Sequence, residues 1–243
     1  MKRVIEMVAV AVLLTLAGNA GAAPGAEEKL ARQLAALLVA GRGVVAANQP
    51  LINDAAKGDK GFTPEVFGAA VATELKAKAG VDLAALDKGK KADALLLALF
   101  DAEKKVVAEA QPLINQAGMG FKGFTPAIFG RATGEKFTAA TGLGLKQTSE
   151  RYRNPANQPD AFEKGVLGKF QAAGWEKGQG YAEATDVKGK KAVRYLQPLY
   201  IAKSCLACHG DPKGELDIAG RAKEGYQEGE LRGAVSVTVP IGL

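Results

Sequence analysis

From residue 26 to 56, and again from 90 to 117, apolar side chains return every three or four positions, the spacing of one helix face. In the second stretch Leu95, Leu96, Leu99, Val106, Val107, Ala110, Leu113 and Ile114 make up that face. Pro50 and Pro112 should kink or end these helices, because proline lacks an N–H and its ring crowds the preceding turn. Each is followed by Gly-Phe-Thr-Pro, in which Thr63 or Thr125 suits an N-cap and Pro64 or Pro126 the first helical position. Two further helices should therefore begin at Pro64 and Pro126 and stop near Gly80 and Gly142.

These two stretches are copies of one another. Val44-Val45-Ala46, Gln49-Pro50-Leu51-Ile52-Asn53, Lys60-Gly61-Phe62-Thr63-Pro64 and Phe67-Gly68 recur sixty-two positions later, from Val106 to Gly130. Two copies are too few for a solenoid, so a duplicated helical hairpin is the better account. Shared packing explains the repeated Gln-Pro-Leu-Ile-Asn more simply than a duplicated ligand site.

After Gly144 the pattern changes. Arg151 to Asp160 holds two prolines and two asparagines and reads as extended and turn-rich. Residues 160 to 173 form a short helix with Phe162, Val166, Leu167 and Phe170 on one face. Trp175–Thr185 and Ala192–Ile201 read as strands, and Gly233–Ile241 alternates cleanly as the final one. Helices followed by strands give an α+β fold with an antiparallel sheet.

The first residues add a compartment. Met1-Lys2-Arg3, an apolar run from Met7 to Ala17 and the small residues before Ala23 have the layout of a cleavable signal peptide over residues 1–22. An uncleaved anchor is the competing reading. No later run approaches twenty apolar residues, so a periplasmic protein is expected. The net charge of +6 is scattered among acidic residues, which argues against nucleic acid as a partner and suits an acidic redox partner or an anionic surface.

The chemistry lies in Cys205-Leu206-Ala207-Cys208-His209, which contains both cysteines and the sole histidine. In an exported chain Cys-x-x-Cys-His reads as the attachment site of one covalent haem c: two thioethers from Cys205 and Cys208, and His209 as an iron ligand. A redox dithiol competes but lacks a βαβ setting. Zinc competes as well, but a closed site wants four ligands and no second Cys/His pair exists.

Four strings then form a recognisable order: Arg153-Asn154-Pro155-x-Asn157-x-Pro159-Asp160; Arg194-Tyr195-Leu196-x-Pro198-Leu199; Cys205-x-x-Cys208-His209-Gly210-x-Pro212; and Gly225-Tyr226 through Arg232-Gly233-Ala234. In this order they resemble the PAS-like c-type haem-binding sensor domains found alone or in bacterial chemoreceptors and histidine kinases. The resemblance covers about residues 90–243 and implies N-terminal helices packed on a PAS-like antiparallel sheet carrying the haem, with residues 23–89 as an extra helical copy. It also implies homodimers and a membrane-bound signalling partner. Members with a cysteine sixth ligand carry it near residues 104–116, where this chain has none.

With both cysteines in thioethers and no second histidine, an open or water-bound iron is the first reading, Met119 is the candidate sixth ligand within the mature chain, and a lysine or a residue of a second chain follows. Haem propionates need cations or hydrogen-bond donors. Arg153 and Arg194 are ranked first, with Asn154, Arg151 and Arg232 behind them and Tyr195 and Tyr200 as pocket-lining residues. A haem-based redox or diatomic-gas sensing module is the first expectation and a periplasmic electron-transfer cytochrome the second. An enzyme is not expected, since peroxidase-like chemistry wants a distal acid–base group such as histidine.

Overall fold

The computed structural model describes residues 25–243, so the signal peptide expected at residues 1–22 lies outside the described residues. In chain order the elements are α1 (Ala26–Ala47), α2 (Gln49–Ile52), α3 (Pro64–Ala79), α4 (Lys91–Ile114), α5 (Pro126–Thr141), β1 (Gly144–Thr148), α6 (Ala161–Gln171), β2 (Tyr181–Val187), β3 (Lys190–Tyr200), α7 (Leu206–His209) and β4 (Leu231–Pro240). The fold is α+β. Its strands form one antiparallel sheet in the order β1-β4-β3-β2.

The helix ends follow from local chemistry. Thr63 and Thr125 accept hydrogen bonds from the N–H groups of Val66 and Ile128, with Pro64 and Pro126 just inside. Gly80 and Gly142 close the same helices in left-handed conformation, which costs glycine little. The two prolines of the repeat behave differently. Pro50 opens the short α2 after a break at Asn48, whereas Pro112 is inside the last turn of α4 and does not end it. Only one hydrogen bond is lost there, and the ladder resumes with Asn115 N–H to the Gln111 carbonyl.

The strand expected from Trp175 starts only at Tyr181, because Gly174 and Gly178 turn the chain before it. Strand β1 was absent from the expectation. Its polar Lys146 and Gln147 hide an edge strand that pairs with β4 from Gly144 to Thr148.

Two cores flank the sheet. On one face Tyr195, Val235, Val237 and Val239 join a large cluster that runs through Leu30, Leu34, Phe67, Leu96, Val107 and Phe137. Residues of the first helical copy and of the segment from 90 onward thus share a single core. On the other face Leu196 and Ala234 meet Val166, Leu167 and Phe170 of α6. Helix α1 is long and apolar enough by composition to cross a bilayer, yet it packs on α3, α4, α5, β3 and β4.

The two repeat copies clamp each other. Gln49 Nε2 donates to the Phe124 carbonyl at 2.9 Å and Gln111 Nε2 to the Phe62 carbonyl at 2.9 Å. Asn53 Oδ1 accepts from Lys122 N–H at 2.9 Å and Asn115 Oδ1 from Lys60 N–H at 3.0 Å. Phe67 and Phe129 meet edge-to-face at 5.3 Å between the copies. The repeated Gln-Pro-Leu-Ile-Asn thus serves packing, each copy satisfying loop backbone of the other. One pair breaks the symmetry. Glu103 of α4, fully buried with neither carboxylate oxygen hydrogen-bonded, occupies the notch left by its counterpart Gly41, where a Cβ would come within 2.6 Å of it. Burial pushes the Glu103 carboxyl well above the usual range.

Candidate haem attachment site

Strand β3 ends at Tyr200, and the chain then makes a short 3₁₀ turn (Lys203–Cys205) running directly into α7. Cys205 and Cys208 are three apart on this helical stretch, so both thiols fall on one side of it. Both are free and half-buried, and burial pushes the Cys208 thiol up. The backbone then folds back so that Tyr226 N–H donates to the His209 carbonyl at 2.9 Å, with the Tyr226 ring edge-on to the imidazole at 6.3 Å. The excursion is closed at its base by hydrogen bonds of Ile201 with Glu230 and Gly229.

His209 is oriented by acid. Its Nδ1 lies 2.8 Å from Glu224 Oε2, and Arg153 grips that carboxylate from the other side, Nε to Oε1 at 2.6 Å and NH2 to Oε2 at 2.8 Å. The same guanidinium bonds Asp217 Oδ2 at 2.6 Å and the Cys208 carbonyl at 2.6 Å. Burial favours a neutral imidazole and outweighs the pull of Glu224, so His209 titrates below its ordinary value. Burial acts to raise Glu224 and Asp217, but the hydrogen bonds they accept from Arg153 and their other donors prevail, and both carboxyls titrate low. With Nδ1 engaged by a carboxylate, Nε2 is the nitrogen left to bind a metal, the usual arrangement behind a ligating histidine.

Of the other residues singled out in the sequence, Arg153 alone is tied to this turn. Asn154 caps the short turn Pro155–Asn157 through its side-chain oxygen. Arg194 points to the α6 side, bonding Asp160 at 2.8 Å and lying over the Phe162 ring. Tyr195, its strand neighbour, faces the opposite core under Arg32 of α1. Met119 is 38% exposed on the loop before α5, where its carbonyl accepts from Lys122 Nζ. Sequence reasoning missed Glu224 and Asp217. Glu224 adjoins the Gly225-Tyr226 string, which was the available signal.

The donor set fits a covalent haem: two unpaired thiols on one turn and an imidazole with a free Nε2. Among the described residues no cluster of three or more His, Cys, Asp and Glu side chains is placed to hold a bare metal ion, so the zinc reading gains no support.

Fold and site together define an α+β protein with paired helical hairpins on a four-stranded antiparallel sheet and a Cys-x-x-Cys-His turn before the last strand. Residues 29–240 match the family model described as Tll0287-like: Tll0287, and the chain belongs to that family. The match runs through both helical copies. Among solved structures, the "Crystal structure of the cyanobacterial heme-protein Tll0287" is similar at 22% identity with a TM-score of 0.43, covering 61% of this chain and 93% of that one. No curated protein matches.

Proposed function

We propose that this is an exported single-haem c protein acting as a PAS-like redox or diatomic-gas sensing module. Cys205 and Cys208 form the thioethers and His209 is the axial ligand. The observation that carries the reading is the line Arg153–Glu224–His209, which ends in a free Nε2 beside two unpaired thiols. Haem held there supplies a redox-active iron able to take a diatomic ligand. Glu224 keeps the proton on Nδ1 and so makes Nε2 the better donor, and Arg153 holds Glu224 as a carboxylate. The only described methionine, Met119, belongs to an exposed loop, which favours a face opposite His209 left to an external ligand. Export rests on the leading residues, and the outside compartment is where haem c is matured.

The test is the full chain expressed with haem c maturation. The alkaline pyridine spectrum should show one covalent haem per chain, lost in a Cys205→Ala/Cys208→Ala double variant, and His209→Ala should abolish the normal haem c spectrum. Carbon monoxide should shift the ferrous spectrum, and Met119→Ala should leave it as it was. Absence of covalent haem would sink the attachment reading. A spectrum indifferent to carbon monoxide, with a methionine-to-iron band lost in Met119→Ala, would replace sensing by electron carriage.

A further inference from the structure

Four of the eight described arginines sit on a carboxylate: Arg32 on Glu28, Arg131 on Glu135, Arg153 on Glu224 and Asp217, Arg194 on Asp160 and Glu163. Of the other four, Arg221 donates to the Arg153 carbonyl at 3.4 Å, and Arg151, Arg232 and Arg42 have no such partner among the described residues. Arg151 lies over the Tyr226 ring, its guanidinium carbon 3.8 Å from the ring centre, and Arg232 reaches the same ring at 5.6 Å. Arg232 otherwise bonds only neutral oxygens, Ser149 Oγ at 2.6 Å and the Arg151 carbonyl at 3.3 Å. Between them is a notch of about 30 Å³ bounded by Ser149, Glu150, Arg151, Gln171, Tyr226 and Arg232, with room for a carboxylate but not for a porphyrin ring; the Glu150 carboxylate there accepts from Gln171 Nε2 at 3.1 Å.

The third comes from α1, in the first helical copy. The Arg42 stem runs across Gly130 beside Gln147: a Cβ on Gly130 would be 3.2 Å from Arg42 Cδ and 2.9 Å from Gln147 Oε1. Its guanidinium makes no hydrogen bond or ion pair with the described residues, and the buried Gln147 Oε1 next to it is also without a donor. Burial pushes Arg42 down to about 10, with the positive charge of Arg232 pressing the same way and the Cys205 sulfur opposing, so the three groups feel one another. At neutral pH Arg42 is still charged. Like charges held together without a counter-ion repel, and an anion placed among them removes that cost.

We propose that Arg42, Arg151 and Arg232 form an anion-binding face for the two propionate carboxylates of the haem anchored at Cys205 and Cys208. The inference rests on the haem reading above. It displaces Arg153 and Arg194, whose guanidiniums are already committed to protein carboxylates. It also gives the first helical copy a direct part in the site. Bidentate hydrogen bonding to carboxylate is the geometry guanidinium serves best, and neighbouring cations hold a propionate ionised.

The experiment uses the haem-loaded full chain and its Arg42→Gln, Arg232→Gln, Arg42→Lys and Arg131→Gln variants, with midpoint potential followed from pH 5 to 8. Losing a cation near the iron favours the more positive ferric state, so Arg42→Gln and Arg232→Gln should each lower the potential. The expected shift is about tenfold in the ferric-to-ferrous ratio, equivalent to about 59 mV for a one-electron couple. Both should also gain a pH-dependent step absent from the parent, as a released propionate titrates. Arg42→Lys should recover most of the potential, and the ion-paired Arg131→Gln should match the parent. Potentials of both glutamine variants that overlay the parent at every pH would overturn the proposal while haem binding stands. Loss of the covalent haem signal from the parent protein would remove both readings together.

Discussion

The interface between the helical copies and the excursion around His209 solve the same problem with different materials. Both must fix long stretches of chain that are not in a sheet. The first does so with apolar mass: Phe67 and Phe129 are fully buried, and the amides of Gln49 and Gln111 each satisfy one carbonyl of the other copy. Its buried acid, Glu103, has its carboxyl pushed well above the usual range by burial. The second has little apolar mass besides Tyr226, and Leu216 and Ile218 are exposed. It is held by Arg153 bridging Asp217, Glu224 and the Cys208 carbonyl. Burial makes a rigid scaffold that needs nothing else, whereas an ion network positions one imidazole and remains responsive to what binds there.

That contrast can be broken at either end. The largest effect should come from Phe129→Ala, which empties the junction between copies and should cost about 4 kcal/mol of global stability in urea unfolding. Arg153→Ala should cost about 3 kcal/mol by leaving Asp217 and Glu224 unpaired. Unlike the phenylalanine variant, it should open residues 203–226 to protease while the helical core stays closed. Arg153→Lys should not restore the protein, because an ammonium cannot grip Glu224 with two donors.

Next is Glu103→Gln. The folded carboxyl titrates well above its unfolded value near 4.5. Its contribution to stability is therefore complete below about pH 4.5 and is lost as pH rises toward the folded value, at about 1.4 kcal/mol per pH unit. Glu103→Gln should remove that slope, so that unfolding curves of the two proteins diverge with rising pH in favour of the variant. The smallest effects should be those of Gln49→Ala and Gln111→Ala, about 1 kcal/mol each by thermal or urea unfolding. Equality is the sharp point, since the two bonds are copies of one another. A large difference between them would show that the clamp is one-sided.

The readable parts of this protein were those written locally. Thr63-Pro64 and Thr125-Pro126 announce helix starts, Gly80 and Gly142 announce stops, and Cys-x-x-Cys-His fits within five residues. The unreadable parts depend on distant pairs. Glu224 reaches back to His209 and Arg153 across intervals that no periodicity marks. Arg42 reads as one more polar position on an amphipathic helix until the fold sets it against Gly130 and Gln147. Arg194 and Tyr195 had been drawn to the site by their place in a matched string, but strand alternation sends them to opposite faces of the sheet. Strand β1 was hidden because an edge strand with polar residues lacks the alternation that exposed β4.

The mismatch of Gly41 with Glu103 bears on how such a duplicated unit avoids the wrong mate. Identical halves can trade partners between molecules, and chains then tangle into exchanged pairs. Here two units of the second type would drive one carboxylate into another, and two of the first would leave facing hollows. Only one of each closes the seam, and every chain already carries one of each.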